Sequence, residues 1–328
     1  MINNTIHVAM ASDDKYAHHL SVAVCSILKN MSKDRNLCIY LLHEKLSEET
    51  KAKLEQLQNL RQFDLKYIDV NCEKYAPFKV IGSLYVSRLT YARFQLPFIL
   101  ESLDKCIYLD CDVLVRRDLS ELWDVQLPEY ALLGAVEEPF ARHRNIDLSI
   151  PDSYSYFNAG VLLLDLTKLR EISLEDKAFG YLKENGSLQY ADQDVLNALF
   201  YKTWHALPLK WNAHSTVYIL RKTNVYYRYS IQEINNVYED VAIAHFSQGR
   251  KPDSFISESP YRNEYWEYMK YTAWKYSWPK DINPITLITR FYWLIKSLLN
   301  KLPILFVSMR MVKRIFTGFY LNKEQSRP

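Results

Sequence analysis

Two carboxylates, Asp110 and Asp112, stand one residue apart in Cys106-Ile107-Tyr108-Leu109-Asp110-Cys111-Asp112-Val113-Leu114-Val115, a run that otherwise reads as a buried strand. At about 4 Å and an effective dielectric near 20, two such charges repel by about 4 kcal/mol. At neutral pH the pair therefore asks for a shared proton or a divalent cation. Alternate residues of a strand share a face, so where the strand runs out both side chains reach one ion with hard oxygen ligands. The plainer alternative is a charged pair at a solvent-exposed strand end.

Three further stretches carry candidate chemistry. Val241-Ala242-Ile243-Ala244-His245-Phe246-Ser247-Gln248-Gly249-Arg250-Lys251-Pro252 is a short apolar strand that ends in a histidine and runs into a glycine and two cations. His245 is either a third metal ligand or a structural histidine, and Arg250 and Lys251 suit phosphate oxygens. Asp192-Gln193-Asp194 opens an amphipathic segment through Val195, Leu196, Leu199 and Phe200. At such a helix N-terminus, capping is the ordinary role of acids and is favoured here over ligand contact. Gly160, one of seven glycines, leads Phe157-Asn158-Ala159-Gly160 into a strand, where it either admits a close neighbour or makes a simple turn.

The elements that must position these groups alternate along the chain. Ile6, Val8 and Met10 predict a first strand, followed by Ser12-Asp13-Asp14 and a helix with the apolar face Leu20, Val24, Ile27, Leu28 and Met31. Residues 37–42 read as the second strand. Ser47, ahead of Glu48 and Glu49, predicts a helix N-cap with an acidic first turn. A third strand covers 65–70, and 87–100 is mostly helical, interrupted at Pro97, before the Asp110 strand. Further strands are expected at 131–136 and 161–164. This order predicts an α/β fold, a mainly parallel sheet flanked by helices on both faces. Ligands of such sheets lie outside the carboxyl ends of the strands, so Asp13 and the Asp110/Asp112 pair should border one crevice.

With 328 residues, 48% of them hydrophobic, the chain suits one large domain with an appendage. We place the boundary after Asp281, giving 1–281 as the body and 282–328 as a tail. The cysteines, Cys25, Cys38, Cys72, Cys106 and Cys111, are odd in number and form no CxxC, which suggests a reducing compartment. The N-terminus lacks the basic flank and apolar core of a signal peptide, and no run of about 18 apolar residues is present. A cytoplasmic protein is expected.

Net charge is only +3, which gives no case for a nucleic-acid partner, yet eight Lys/Arg follow Ile282 against one acid, Glu324. In that tail Ile288, Phe291, Tyr292, Ile295, Leu298, Leu299 and Leu302 recur at helical spacing. Beyond Pro303 a second stripe runs through Leu305, Val312, Ile315, Phe316 and Phe319. A basic, aromatic, amphipathic tail predicts peripheral attachment to the anionic inner face of the cytoplasmic membrane. The alternative is packing on the body or on a second subunit.

Seven segments together resemble glycosyltransferase family 8 in order and spacing, over residues 6–252. They are Ala11-Ser12-Asp13-Asp14, Thr90-Tyr91-Ala92-Arg93, Tyr108-Leu109-Asp110-Cys111-Asp112, Leu122-Trp123-Asp124, Phe157-Asn158-Ala159-Gly160, Asp192-Gln193-Asp194-Val195-Leu196-Asn197, and His245 through Pro252. The resemblance, nearest to the bacterial lipopolysaccharide and lipooligosaccharide galactosyl- and glucosyltransferases, implies a Rossmann-like GT-A fold. It also implies a UDP-sugar donor, a Mn²⁺ ion with Mg²⁺ as the alternative, and transfer of a hexose with retention to a lipid-linked saccharide acceptor.

By matching position, Asp110, Asp112 and His245 would hold the metal, and Lys251 would touch the diphosphate. Ala11 and Asp13 would lie at the uracil and ribose end, with Lys15 nearby. Arg93, Asn158, Asp192 and Gln193 would surround the donor sugar, with Glu138 near the sugars. Gln193 matches the candidate nucleophile but is a neutral amide and a poor one, so front-face attack is preferred over double displacement. The chain departs from the family pattern at Gln248, where relatives carry glycine, and at Asp253, where they carry tryptophan.

Two rivals remain in view. A haloacid-dehalogenase-like phosphatase also ends a strand in Asp-x-Asp, but Leu114 stands where it needs threonine or valine. A non-catalytic sugar-nucleotide or membrane-binding protein would not need the intact metal set.

Overall fold

The computed structural model describes residues 4–78, 87–214, 229–247, 251–279 and 281–300. Nine strands are described: β1 Thr5–Ala11, β2 Asn36–His43, β3 Asp64–Asp69, β4 Lys105–Leu109, β5 Val113–Val115, β6 Leu133–Glu137, β7 Phe157–Asp165, β8 Trp204–Ala206 and β9 Ile243–His245. Seven of them form one sheet in the order β3-β2-β1-β4-β7-β6-β8. β7 runs antiparallel to both neighbours and the remaining pairs are parallel. The expectation of a mainly parallel sheet holds, with one reversed strand, β7, fifth of the seven.

The strands read as near-continuous apolar runs because both faces of the sheet are covered. Alternation decides which side each residue serves. Val8, Met10, Ile107, Leu109, Val161 and Leu163 enter one core, which also takes the apolar face of helix α1 (Ala17–Asn30). Ala9, Tyr40, Tyr108, Leu162 and Leu164 enter the other. That second core includes side chains of α3 (Leu174–Asn185) and α4 (Ala191–Phe200). Helix α2 (Glu48–Glu55) begins as the sequence predicts, the Ser47 hydroxyl accepting the Thr50 N–H at 3.2 Å. Two further helices of the body are α5 (Ile231–Glu239) and α6 (Arg262–Met269).

Three local expectations are corrected. The Asp110 run is not one strand: β4 stops at Leu109, and β5 turns away to pair antiparallel with β9. Asp110-Cys111-Asp112 is thus the turn between two strands. The Asn158-Ala159-Gly160 segment lies inside β7 rather than before it. Pro97 does not interrupt a helix: a 3-10 segment spans Arg88–Gln95 and a short α-turn Leu96–Ile99 begins with the proline in its first turn, where its missing N–H costs nothing.

None of the five cysteines is paired. The chain divides into two compact units, Met1–Asp253 with Glu258–Trp278, and Ser254–Ser257 with Pro279–Pro328. The second contains helix α7 (Pro284–Asn300). The second stripe expected beyond Pro303 lies outside the described residues. Among those described, no helix is long and apolar enough to cross a membrane.

Candidate active site

The β4–β5 turn delivers both carboxylates to the carboxyl end of β4. Its backbone is fixed on two sides: the Asp110 N–H donates to Gly160 O at 2.8 Å, and the Phe246 N–H donates to Asp112 O at 3.0 Å. The second contact places the end of β9 against the turn. His245 Nε2 then lies 3.6 Å from Asp110 Oδ2 and 3.4 Å from Asp112 Oδ1. Ligand atoms of the three residues all fall within 4.8 Å of one another.

The histidine is aimed by a residue that sequence reasoning missed. His245 Nδ1 lies 3.0 Å from Asn212 Oδ1; a proton donated there leaves the Nε2 lone pair facing the carboxylates, the arrangement that orients metal-bound imidazoles. Asn212 is held in turn, its Nδ2 donating to Asn158 Oδ1 at 2.8 Å. Asn158 Oδ1 also accepts the Gly160 N–H at 2.9 Å, and Asn158 Nδ2 reaches Glu138 Oε2 at 3.4 Å. Glu138 faces the buried His214, Nδ1 to Oε2 at 3.1 Å. Asn158 and Glu138 are therefore joined in one buried polar network behind His245.

Two cations also meet the carboxylates, a source of neutralisation in addition to the shared proton or divalent cation expected from the sequence. Lys251 Nζ donates to Asp112 Oδ2 and to Phe246 O at 2.8 Å. Although burial pushes the Asp112 carboxyl up, Lys251 and His245 hold it well below the usual range. Arg93 Nη2 donates to Asp110 Oδ1 at 2.9 Å. Its Nη1 reaches Asp192 Oδ2 at 3.0 Å and Ala159 O at 2.7 Å, while Tyr108 packs on the guanidinium at 4.1 Å. Burial pulls the Arg93 pKa down, but Asp192, Tyr108 and Asp110 together raise it. Arg93 is thus a buried cross-link between Asp110, Asp192 and the Ala159 carbonyl.

Asp192 is not a cap, contrary to the favoured expectation. Its carboxylate faces Arg93 and accepts from the Thr90 hydroxyl, and burial pushes its pKa up to about 6 despite Arg93. The local role falls to Asp194, which accepts the Tyr190 N–H at 2.9 Å, Arg144 Nη2 at 2.9 Å and the Tyr156 hydroxyl at 2.7 Å. These bonds hold an entry to α4 in which Ala191 sits at φ +46°, costly for a residue with a Cβ. Gln193 is fixed at both ends: Oε1 accepts the Ala159 N–H at 2.9 Å and Nε2 donates to Tyr156 Oη at 3.2 Å.

Ala11 ends β1, whose register with β4 pairs Ala9 with Tyr108, so it reaches the same sheet end as Asp110. Asp13 Oδ1 accepts the Tyr16 N–H at 3.0 Å, and Lys15 lies 5.8 Å from the Tyr16 ring centroid. Gln248, Gly249 and Arg250 lie outside the described residues.

Gly160 tests whether the donor set fits an ion. A Cβ there would lie 2.2 Å from His245 Cε1 and 2.8 Å from Asp110 Oδ2. The space beside the ligands is open only because residue 160 has no side chain. Two carboxylates and one imidazole, each held by neighbours, fit a divalent cation of intermediate hardness.

The family model described as "Glycosyl transferase family 8" matches residues 7–255. General stress protein A of Bacillus subtilis is 30% identical over 82% of this chain and 94% of its own length. A lipopolysaccharide 1,2-glucosyltransferase of Escherichia coli is 27% identical over 88% of this chain and 84% of its own. Among solved structures, the galactosyltransferase LgtC in complex with donor and acceptor sugar analogs is 28% identical with a TM-score of 0.73, covering 84% of this chain and 98% of that one. The mixed sheet described above is similar to that fold, the GT-A arrangement expected from sequence.

Proposed function

Because this chain belongs to glycosyltransferase family 8, we propose that it moves galactose or glucose, with retention, from a UDP-sugar to a lipopolysaccharide-type saccharide acceptor. The observation that carries this reading is the convergence of Asp110, Asp112 and His245 beside Gly160, with Lys251 on Asp112. The three ligands would hold Mn²⁺, or Mg²⁺, which would supply positive charge to a diphosphate leaving group. Lys251 adds a second positive charge at the same place. Ala11 and Asp13, at the same sheet end, suit the nucleoside. The names of the similar glucosyl- and galactosyltransferases support a hexose and a lipopolysaccharide-type acceptor.

The chain's own residues favour front-face transfer. Gln193 Oε1 is held by a backbone N–H, and an amide is a poor nucleophile even when free. The acceptor hydroxyl bonds to the anomeric carbon on the face that UDP leaves, the bond to UDP breaks, and the hydroxyl proton passes to the departing β-phosphate. Measuring Mn²⁺-dependent UDP release from UDP-glucose, UDP-galactose and their N-acetyl forms tests the activity. Release of orthophosphate from phosphate monoesters instead would favour the phosphatase rival.

Gln193→Ala should weaken transfer by up to about 100-fold and preserve retention, because losing its bonds to the Ala159 N–H and Tyr156 Oη lets the segment beside Arg93 and Gly160 shift, and a misplacement of about 1 Å costs on the order of 100-fold. Anomeric configuration by NMR, together with mass spectrometry, checks it. A glycosyl adduct on Gln193 of the wild type would refute the front-face route.

The expected membrane attachment is proposed for α7 and the basic residues beyond it. In α7, Ile285, Leu287, Ile288, Phe291 and Leu294 are all at least half exposed, an apolar surface suited to the headgroup boundary. This would place the enzyme in the cytoplasm, peripheral on the inner face of the membrane, where a lipid-linked acceptor is at hand. A chain ending at Asp281 should still hydrolyse UDP-sugar but lose most binding to anionic liposomes. Equal co-sedimentation of full-length and truncated chains would remove the anchor.

A further inference from the structure

Beside the active site, but with no ligand in common with it, three ligand-type side chains converge where the segment after Lys251 meets α1. His18 and His19 lie in the first turn of α1, and Asp253 stands two residues beyond Lys251. Asp253 Oδ2 lies 3.2 Å from His18 Nε2, and its Oδ1 lies 3.6 Å from His19 Nε2. One ligand atom from each residue falls within 4.8 Å of the others. Neighbouring helical residues point about 100° apart, yet both Nε2 atoms face one carboxylate, with the two rings 4.1 Å apart between centroids.

The separations have a chemical meaning. Ligand atoms around a tetrahedral ion with bonds of about 2.0–2.1 Å stand roughly 3.3 Å from one another; each histidine nitrogen lies close to that distance from one oxygen of the Asp253 carboxylate, His18 from Oδ2 and His19 from Oδ1, so a small carboxylate rotation brings one oxygen to both. His19 carries outer support as well: its Nδ1 lies 2.9 Å from the buried Tyr265 Oη of α6. With the proton on Nδ1 donated to that oxygen, the Nε2 lone pair points at Asp253, as for a metal-bound imidazole.

We propose that His18, His19 and Asp253 form a second divalent-cation site, of the kind taken by Zn²⁺ with water as fourth ligand, which ties the Lys251 segment to α1. Two imidazoles and one carboxylate are a softer set than the two carboxylates and one imidazole of the active site, so the two sites differ in preferred ion. The inference is independent of the sugar-transfer reading.

Zinc content of the untagged full chain, measured after equilibrium dialysis against Zn²⁺, tests it. Wild type should hold two ions per chain, His18→Gln and Asp253→Asn one each, Asp112→Asn one, and His18→Gln combined with Asp112→Asn none. Amide hydrogen exchange of Lys251 and Asp253 should slow on adding Zn²⁺ in wild type and in Asp112→Asn, and not in His18→Gln. Circular dichroism establishes that each variant is folded. A wild type that binds one ion, lost in Asp112→Asn and retained in His18→Gln and Asp253→Asn, overturns the second site and reduces the cluster to a histidine–carboxylate ion pair. One ion lost in His18→Gln but retained in Asp112→Asn supports the second site and counts against the active-site metal instead.

Discussion

Asp112→Ala should lower sugar transfer by about a thousandfold or more, and it should also destabilise the chain when no metal is bound. The first effect follows from the ligand set: without Asp112 the ion has one carboxylate and one histidine left among the described residues, and charge stabilisation at the leaving group is worth several kcal/mol. The second follows from Lys251. Its side chain is largely buried and its ammonium donates to Asp112, so removing the acid leaves a buried cation without that partner, at a cost of about 3 kcal/mol. Asp112→Asn keeps the shape and an acceptor oxygen, and should lose the activity with a smaller loss of stability. UDP-release rates with and without Mn²⁺, set beside thermal midpoints, check both. Near-normal turnover of either variant without metal would sink the assignment of the site.

That stability effect has the opposite sign to the one the sequence suggests. Read along the chain, Asp110 and Asp112 are two like charges, and deleting one relieves repulsion. Their cations are distant in sequence: Arg93 lies 17 residues before Asp110 and Lys251 139 residues after Asp112. The strands themselves were legible because alternating apolar residues on β1, β4 and β7 feed two cores, a pattern written locally. The reversal of β7 was not, because strand direction is set by connection and partner rather than by side-chain periodicity. The same limit explains Asp192. Local grammar makes an acid at a helix start a cap, and only the tertiary approach of Arg93 shows that Asp194 does the local work instead. Asn212, which aims His245, sits in a 3-10 turn with no motif around it. The isolated bridge between Ala213 and Ala244 brings it there, and nothing in the spacing of residues 209–214 announces that pairing.

Gly160→Ala should cost metal affinity on the order of 100-fold, although residue 160 offers no side-chain ligand. Glycine is not needed here for a left-handed backbone: Gly186 is the described glycine with positive φ. It is needed for space. An added Cβ would fall 2.2 Å from His245 Cε1 and 2.8 Å from both His245 Nδ1 and Asp110 Oδ2, closer than atoms can stand, so something must move. The backbone at 160 resists, because its N–H is held by Asn158 Oδ1 and its carbonyl by the Asp110 N–H. The imidazole therefore gives way, breaking its contact with Asn212 and swinging Nε2 off the carboxylates. Overpacking of this kind also costs about 1–3 kcal/mol of stability. Gly180→Ala is the matched control, since a Cβ at that position in α3 meets nothing within 4 Å, and alanine should stabilise the helix by up to about 1 kcal/mol. Titration of Mn²⁺ followed by electron paramagnetic resonance separates the two. Gly160→Ala should bind weakly and Gly180→Ala as wild type; equal affinity in both would mean that the ion is not held by Asp110, Asp112 and His245.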